Sequence, residues 1–247
     1  MKVALTVAGF DPSGASGTLL DARVLSKLGH HPAAVVSALV PQNTCRVEGL
    51  FPVPLGQFSL QLKAVLTDLP VRGVKVGVLP TPAHARELLK ALEQFNGPLV
   101  YDPVLRSSSG SPLFNGKPEE LLPFIRRVTL FTPNAEEARA FCRGRSVREL
   151  LECLKKLTDG AVLLKGGHLS GEKATDYLYD GKKVYAFSAE RLPVDARGTG
   201  CFLSSALLGY LLKGLPLERA VEEAKRALTE ALKRAVKLGA CRPVLVP

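Results

Sequence analysis

What most limits the folds open to this chain is a regular alternation of two kinds of segment. Short apolar, β-branched runs recur along it, and most are followed by a longer segment whose apolar residues repeat at helical spacing. Strands are expected over residues 2–9, 33–40, 73–79, 98–102, 128–132 and 161–164. Helices are expected over 16–28, 57–69, 82–95 and 217–238, with others opening near 134 and running from about 199 to 213. Alternation of this kind predicts parallel strands joined by right-handed crossovers, with helices on both faces of an α/β sheet. Two short alternating runs, 174–179 and 183–187, flank Asp180-Gly181 and read as a small β-hairpin. No internal repeat, low-complexity stretch or linker interrupts the pattern, so residues 1–247 are expected to form one domain.

Composition narrows the partners. A net charge of +10 raises the question of nucleic acid, but the basic residues are spread through helical segments and only 6% of residues are aromatic. The better use of that field is to attract small anionic substrates. The apolar run before Asp11 is too short to span a membrane and lacks a cleavage region, so neither a membrane nor a secretory route is expected and the cytoplasm is. A single Met, four Asn and four Gln form a composition common in thermophilic proteins. Five cysteines at irregular spacings, without a Cys-x-x-Cys pair, argue against a disulfide framework or a structural zinc site. Cys45, Cys142, Cys153 and Cys241 are therefore expected as packed or free thiols.

The chemistry-bearing stretches sit where strands end. Gly198-Thr199-Gly200-Cys201 leads into an apolar helical segment, so the first helical N–H groups point into a tight turn and suit an anion. The same field would favour the Cys201 thiolate, although a Gly-x-Gly turn also serves simply to connect elements. Residues 9–17 form a second glycine-rich loop containing Asp11, at a strand end where open α/β sheets bind ligands. Gln42 carries a donor beside an acceptor, able to pair with an aminopyrimidine edge or to close its own turn. Asp102, before Pro103, is placed either to hold Mg2+ or to start a turn. Glu136 and Glu137 complement the dipole of the helix they open. Lys165, before Gly166-Gly167-His168, is placed to reach a phosphate.

Seven stretches in order carry a resemblance: Gly9-x-Asp11-Pro12-Ser13-Gly14, Gln42-Asn43-Thr44, Lys75-x-Gly77, Asp102-Pro103-Val104, Thr132-Pro133-Asn134, Lys165-Gly166-Gly167-His168 and Gly198-Thr199-Gly200-Cys201. Together they resemble the hydroxymethylpyrimidine and phosphomethylpyrimidine kinases of thiamine biosynthesis. The resemblance implies a ribokinase-like three-layer α/β/α sandwich with a mostly parallel central sheet. It implies transfer of the ATP γ-phosphoryl group to 4-amino-5-hydroxymethyl-2-methylpyrimidine and then to its monophosphate, with Mg2+, in a homodimer. By the same resemblance Cys201 accepts the hydroxyl proton and the N–H groups of Gly198, Thr199, Gly200 and Cys201 cradle the phosphoryl group. Gln42 reads the aminopyrimidine, Val40, Val78 and Val104 line the ring pocket, and Asp11 helps close the site. Asp102, Asn134 and Glu137 organise the metal, Lys165 contacts the nucleotide phosphates, and Arg197 keeps a cation near them.

The chain departs from that family pattern at five positions. Arg197 stands where His is usual, Ser108 where Lys is, Val78 where Met is, Leu19 where Gln is and Pro41 where Ala is. These departures keep two alternatives open: a pyridoxal-type vitamin kinase with the same machinery, and a non-catalytic homologue that binds a pyrimidine or nucleotide.

Overall fold

The structure, a computed structural model, describes residues 1–107, 109–167 and 173–247. The expectations attached to Ser108 and His168 lie outside the described residues. In chain order the elements are β1 (Val3–Phe10), α1 (Gly17–Lys27), β2 (His31–Leu39), β3 (Phe51–Pro52), α2 (Leu55–Asp68), β4 (Val71–Val76) and α3 (Pro82–Ala91). There follow β5 (Leu99–Tyr101), a 3-10 turn (Pro118–Leu121), α4 (Leu122–Arg127), β6 (Leu130–Phe131), α5 (Ala135–Phe141), α6 (Val147–Lys155) and β7 (Ala161–Leu164). The hairpin β8 (Lys173–Tyr179) and β9 (Val184–Glu190) precedes α7 (Thr199–Leu212) and α8 (Leu217–Lys233).

Among the described residues the strands form one sheet in the order β3-β2-β1-β4-β5-β6-β7-β8-β9. Every pairing from β2 to β7 is parallel, while β3 and the β8/β9 hairpin pair antiparallel at the two edges. Successive strand residues face opposite ways, so Leu5, Val7, Val74, Val76 and Tyr101 pack under α2 to α6 with Phe58, Leu62, Leu88, Phe124 and Leu150. Ala4, Val100, Leu130 and Leu163 face α1, α7 and α8 through Leu20, Val24, Leu207 and Val221. Burial on both faces explains why these strands read as continuous apolar runs. The three expected layers are present.

The chain leaves β1 outward to β2 and β3, then returns to place β4 on the other side of β1. Strand order therefore reverses at β1/β4, where a crevice opens beyond the carboxyl ends of the strands. The loops after β1, β2, β4, β5 and β7 all end there, and this is what positions the site.

Two expectations fail. Helix α8 ends at Lys233, short of residue 238, because Val236 exchanges two backbone hydrogen bonds with Val244, of 3.0 and 2.9 Å, and leaves the helical path. The cysteines are paired: Cys45 bonds to Cys241 and Cys142 to Cys153, with Cα atoms 5.0 and 6.0 Å apart, inside the range a disulfide spans. Cys201 is the free cysteine. The first pair is 196 residues apart in sequence, so only the tertiary fold brings it together and spacing carries no sign of it. No helix of the described residues is long and apolar enough to cross a membrane.

Candidate active site

The turn at Gly198 is built against the loop after β1. Gly198 has φ 80°, a conformation that disfavours side chains, and a Cβ there would lie 2.1 Å from the Ala15 carbonyl oxygen. That close approach brings the N-terminus of the 14-residue helix α7 into the crevice. At Gly200 a Cβ would stand 3.2 Å from Asp102 Oδ2 and 3.4 Å from Lys165 Nζ, so bare backbone faces a carboxylate and an ammonium. Three stretches far apart in sequence thus meet at one point, with unpaired helix N–H groups aimed between them.

The charged end of the crevice is assembled by β5, β7 and α5. Asp102 follows β5 and is 1% exposed, and Lys165 follows β7, its N–H bonded to the Pro133 carbonyl at 2.9 Å. The Lys165 ammonium donates to Asp102 Oδ1 and lies 3.7 Å from Glu137 Oε2. Asn134 caps α5: its Oδ1 accepts from the N–H groups of Glu136 and Glu137 at 2.8 and 2.9 Å, and Glu137 Oε2 accepts from Asn134 N–H at 2.7 Å. The Asn134 side-chain oxygen and one Glu137 oxygen are thus committed to this reciprocal cap. Burial pushes the Glu137 carboxyl up to about 7, with Lys165 opposing and the Asp102 charge adding to the rise. Burial works against the Lys165 charge, yet Asp102 and Glu137 outweigh it and hold the ammonium above its ordinary value.

No group of three or more His, Cys, Asp or Glu among the described residues is placed to hold a metal unaided. Two hard carboxylates beside a lysine do fit a Mg2+ ion that keeps most of its own waters and takes phosphate oxygens.

The other end of the crevice is apolar. Val40, Val78 and Leu113 form a buried cluster with Ala38, and Val104 packs against it. The same pocket is lined by Gln42, Lys75 and Cys201. The three valines expected around a ring are therefore adjacent; Leu113, four residues past the Ser109-Gly110 turn region's start, was not singled out because one leucine in a Ser/Gly/Pro-rich loop has no periodicity to reveal it. Asp11 is 1% exposed and organises its own loop, accepting from Ser13 N–H at 2.9 Å, Ser13 Oγ at 2.6 Å and Ser16 Oγ at 2.7 Å. Arg197, expected beside the phosphates, directs its guanidinium to Gln42 Oε1. Leu19 and Pro41 are exposed.

Cys201 corrects an expectation. Burial pushes its thiol up to about 11, and the nearby Lys75 ammonium and a hydrogen bond from Gly17 N–H only partly counter this. Desolvation, with the Asp21 and Asp102 charges, outweighs these two, so the resting group is a thiol. Lys75 itself, wholly buried on β4, is held 2.7 Å from Asp21 of α1. Neither charge was assigned a role in the sequence reading, although Lys75 interrupts a strand-like apolar run and Asp21 falls among the apolar positions of α1.

Known proteins match this chain over nearly its whole length. A family model described as phosphomethylpyrimidine kinase matches residues 11–244. The hydroxymethylpyrimidine/phosphomethylpyrimidine kinase of Aquifex aeolicus is 42% identical over 246 residues, covering 96% of each chain. A crystal structure of phosphomethylpyrimidine kinase from Clostridium difficile superposes with a TM-score of 0.81 at 32% identity, covering 94% of this chain and 99% of that one. The pyridoxal kinase of Staphylococcus aureus in complex with AMP-PCP superposes with a TM-score of 0.90 at 25% identity, covering 99% and 93%.

Proposed function

This chain belongs to the phosphomethylpyrimidine kinase family, and we propose that it phosphorylates 4-amino-5-hydroxymethyl-2-methylpyrimidine and then its monophosphate at the expense of ATP. The observation that carries this reading is the meeting, in one strand-end crevice, of the Gly198–Cys201 backbone, the Asp102–Lys165 pair and the apolar pocket bearing Gln42.

The division of labour follows the two ends. The pyrimidine ring lies among Val40, Val78 and Val104, and Gln42 pairs with its amino group and ring nitrogen. Asp11 shapes the loop that closes over it. The hydroxymethyl oxygen then points at the Gly198–Cys201 turn, where the N–H groups of Gly198, Thr199, Gly200 and Cys201 face the phosphoryl group. In the transfer the bond from that oxygen to the γ-phosphorus forms, the γ-phosphorus–β-bridging oxygen bond breaks to leave ADP, and the hydroxyl proton passes to Cys201 Sγ. Such a loose transfer asks the protein mainly for positioning and charge stabilisation. Only the minor thiolate form of Cys201 takes the proton, since the resting thiol sits at about 11. Lys165 holds the nucleotide phosphates opposite Gly200. Asp102, together with Glu137 oriented by the Asn134 cap, would hold Mg2+, which would neutralise phosphate charge.

Residues 1–247 act in this reading as one cytoplasmic domain, paired as a homodimer. Exposed Leu39 and Phe51, next to each other on β2 and β3, support an apolar contact between copies.

The test is ADP release from Mg-ATP with the hydroxymethylpyrimidine, its monophosphate and pyridoxal. Turnover on both pyrimidines is expected, with pyridoxal far behind. Turnover on pyridoxal alone reassigns the substrate, and binding without ADP release overturns the kinase reading.

A further inference from the structure

Arg197 and Gln42 are 155 residues apart, and their side chains meet beside the apolar pocket that Gln42 lines, the guanidinium donating to Gln42 Oε1. A guanidinium carries only donors, so the amide oxygen must face it and the amide NH2 must face the other way. Both backbones are held. Residues 41–48 form a small hairpin, with Glu48 N–H bonded to the Pro41 carbonyl at 2.8 Å and Asn43 N–H to the Arg46 carbonyl at 3.0 Å. Cys45 ties that hairpin to Cys241, and Arg242 N–H donates to the Thr44 carbonyl at 3.3 Å. One residue further on, the Pro243 carbonyl accepts from Arg197 N–H at 2.9 Å. One C-terminal segment thus braces both partners, and rotation about the last bond of Gln42 is the freedom that Arg197 removes. Arg197 is itself 3% exposed, so water competes little for the contact.

We propose that Arg197 is the specificity-determining positioning residue of the pocket, locking the Gln42 amide so that it accepts beside where it donates, in one order only. This rests on the pyrimidine reading above. The amide oxygen has a second lone pair, so it still accepts from a ligand amino group while the NH2 donates to a ring nitrogen. The aminopyrimidine presents that order, amino group then ring nitrogen, next to its hydroxymethyl arm. Pyridoxal presents the reverse at the corresponding positions, a formyl oxygen that accepts and then a hydroxyl that donates. A freely turning amide suits either; a locked amide meets the formyl oxygen with its own oxygen and leaves a buried mismatch.

The experiment compares wild type, Arg197→Met and Arg197→Lys, measuring KM for the hydroxymethylpyrimidine, competitive Ki for pyridoxal and KM for ATP. Arg197→Met is expected to lower the preference for the pyrimidine by about 10- to 100-fold, the range in which a mispaired polar contact discriminates. KM for ATP stays within about twofold, the change expected when no phosphate contact is lost, and Arg197→Lys, which keeps a donor, recovers part of the preference. If Arg197→Met fails to fold, Gln42→Glu tests the same point: it keeps a partner for Arg197 but offers two equivalent acceptors, and the preference falls toward one. A preference unchanged in these variants, or equal losses for both ligands, overturns the proposal while leaving the pyrimidine kinase reading intact. Absence of pyrimidine turnover in wild type overturns that underlying reading and the inference with it.

Discussion

Two lysine–carboxylate pairs lie buried near the same crevice, and their surroundings differ. Lys75 and Asp21 are 2.7 Å apart with both side chains 0% exposed, and Asp21 also accepts from Thr6 Oγ1 at 2.6 Å and Ser205 Oγ at 2.8 Å. Its two oxygens take three donors contributed by β1, β4 and α7. Lys165 is 12% exposed, and among the described residues the Asp102 side chain takes a hydrogen bond only from it, while facing the bare backbone of Gly200. In the first pair the acceptor oxygens of Asp21 are filled, and the pair cross-links helix layer to sheet while the Lys75 side chain lies under the pocket. The second keeps acceptor capacity in reserve beside helix N–H groups that also have none of their own. Burial alone does not separate a structural ion pair from a working one; unspent hydrogen-bonding capacity at a strand end does.

The contrast predicts opposite failures. Lys75→Met leaves Asp21 charged, buried and without its counter-ion, and is expected to cost about 3–5 kcal/mol of stability in a denaturant titration. Adding Asp21→Leu removes the stranded charge, and most of that loss is expected to return. Lys165→Met should act mainly on turnover, lowering kcat/KM by about 10²–10³-fold, as loss of one transition-state donor does, and should lose less stability than Lys75→Met because Lys165 is 12% exposed and water can reach the carboxylates it leaves. A large stability loss there would erase the distinction.

Smaller effects sharpen it. Replacing Cys45 and Cys241 by Ser is expected to cost about 2–4 kcal/mol, since the bridge closes a long loop of the unfolded chain. The check is the difference in melting temperature between the pair of variants with and without reductant. At Cys201 the sign of the pH effect follows from the thiol lying at about 11. Below that pH the thiolate fraction grows tenfold per unit, so kcat/KM should climb about tenfold per unit from pH 7 to 9. Cys201→Ala should fall by about 10²-fold and lose the slope; a flat wild-type profile would leave Cys201 only a place in the anion cradle.

How far the sequence carried this picture differs by residue. β7 was legible to the residue because a four-residue apolar run between polar neighbours admits little else. The Gly198 turn and the strand-end positions of Asp102 and Lys165 were legible because glycines and charges at the ends of apolar runs have few structural uses. Helices α4 and α6 were not singled out: they are 6 and 9 residues long, too short for their apolar residues to establish a period. The disulfides, the Asp21 network and the Arg197–Gln42 contact were hidden for a different reason. Each joins residues distant in the chain, and local pattern holds no record of which distant side chains meet. The state of Cys201 was misread because the turn and the helix start are visible in sequence and the burial that raises the thiol is not.

The most direct test of the account is pyrimidine-dependent ADP release from Mg-ATP, measured side by side for wild type, Lys165→Met and Lys75→Met, with a melting curve for each. Turnover is expected in wild type, with a Lys165→Met protein that hardly turns over yet melts closer to wild type than Lys75→Met does, and a Lys75→Met protein that melts far lower. A wild type that releases no ADP with either pyrimidine, or a Lys165→Met protein that turns over normally, would contradict it.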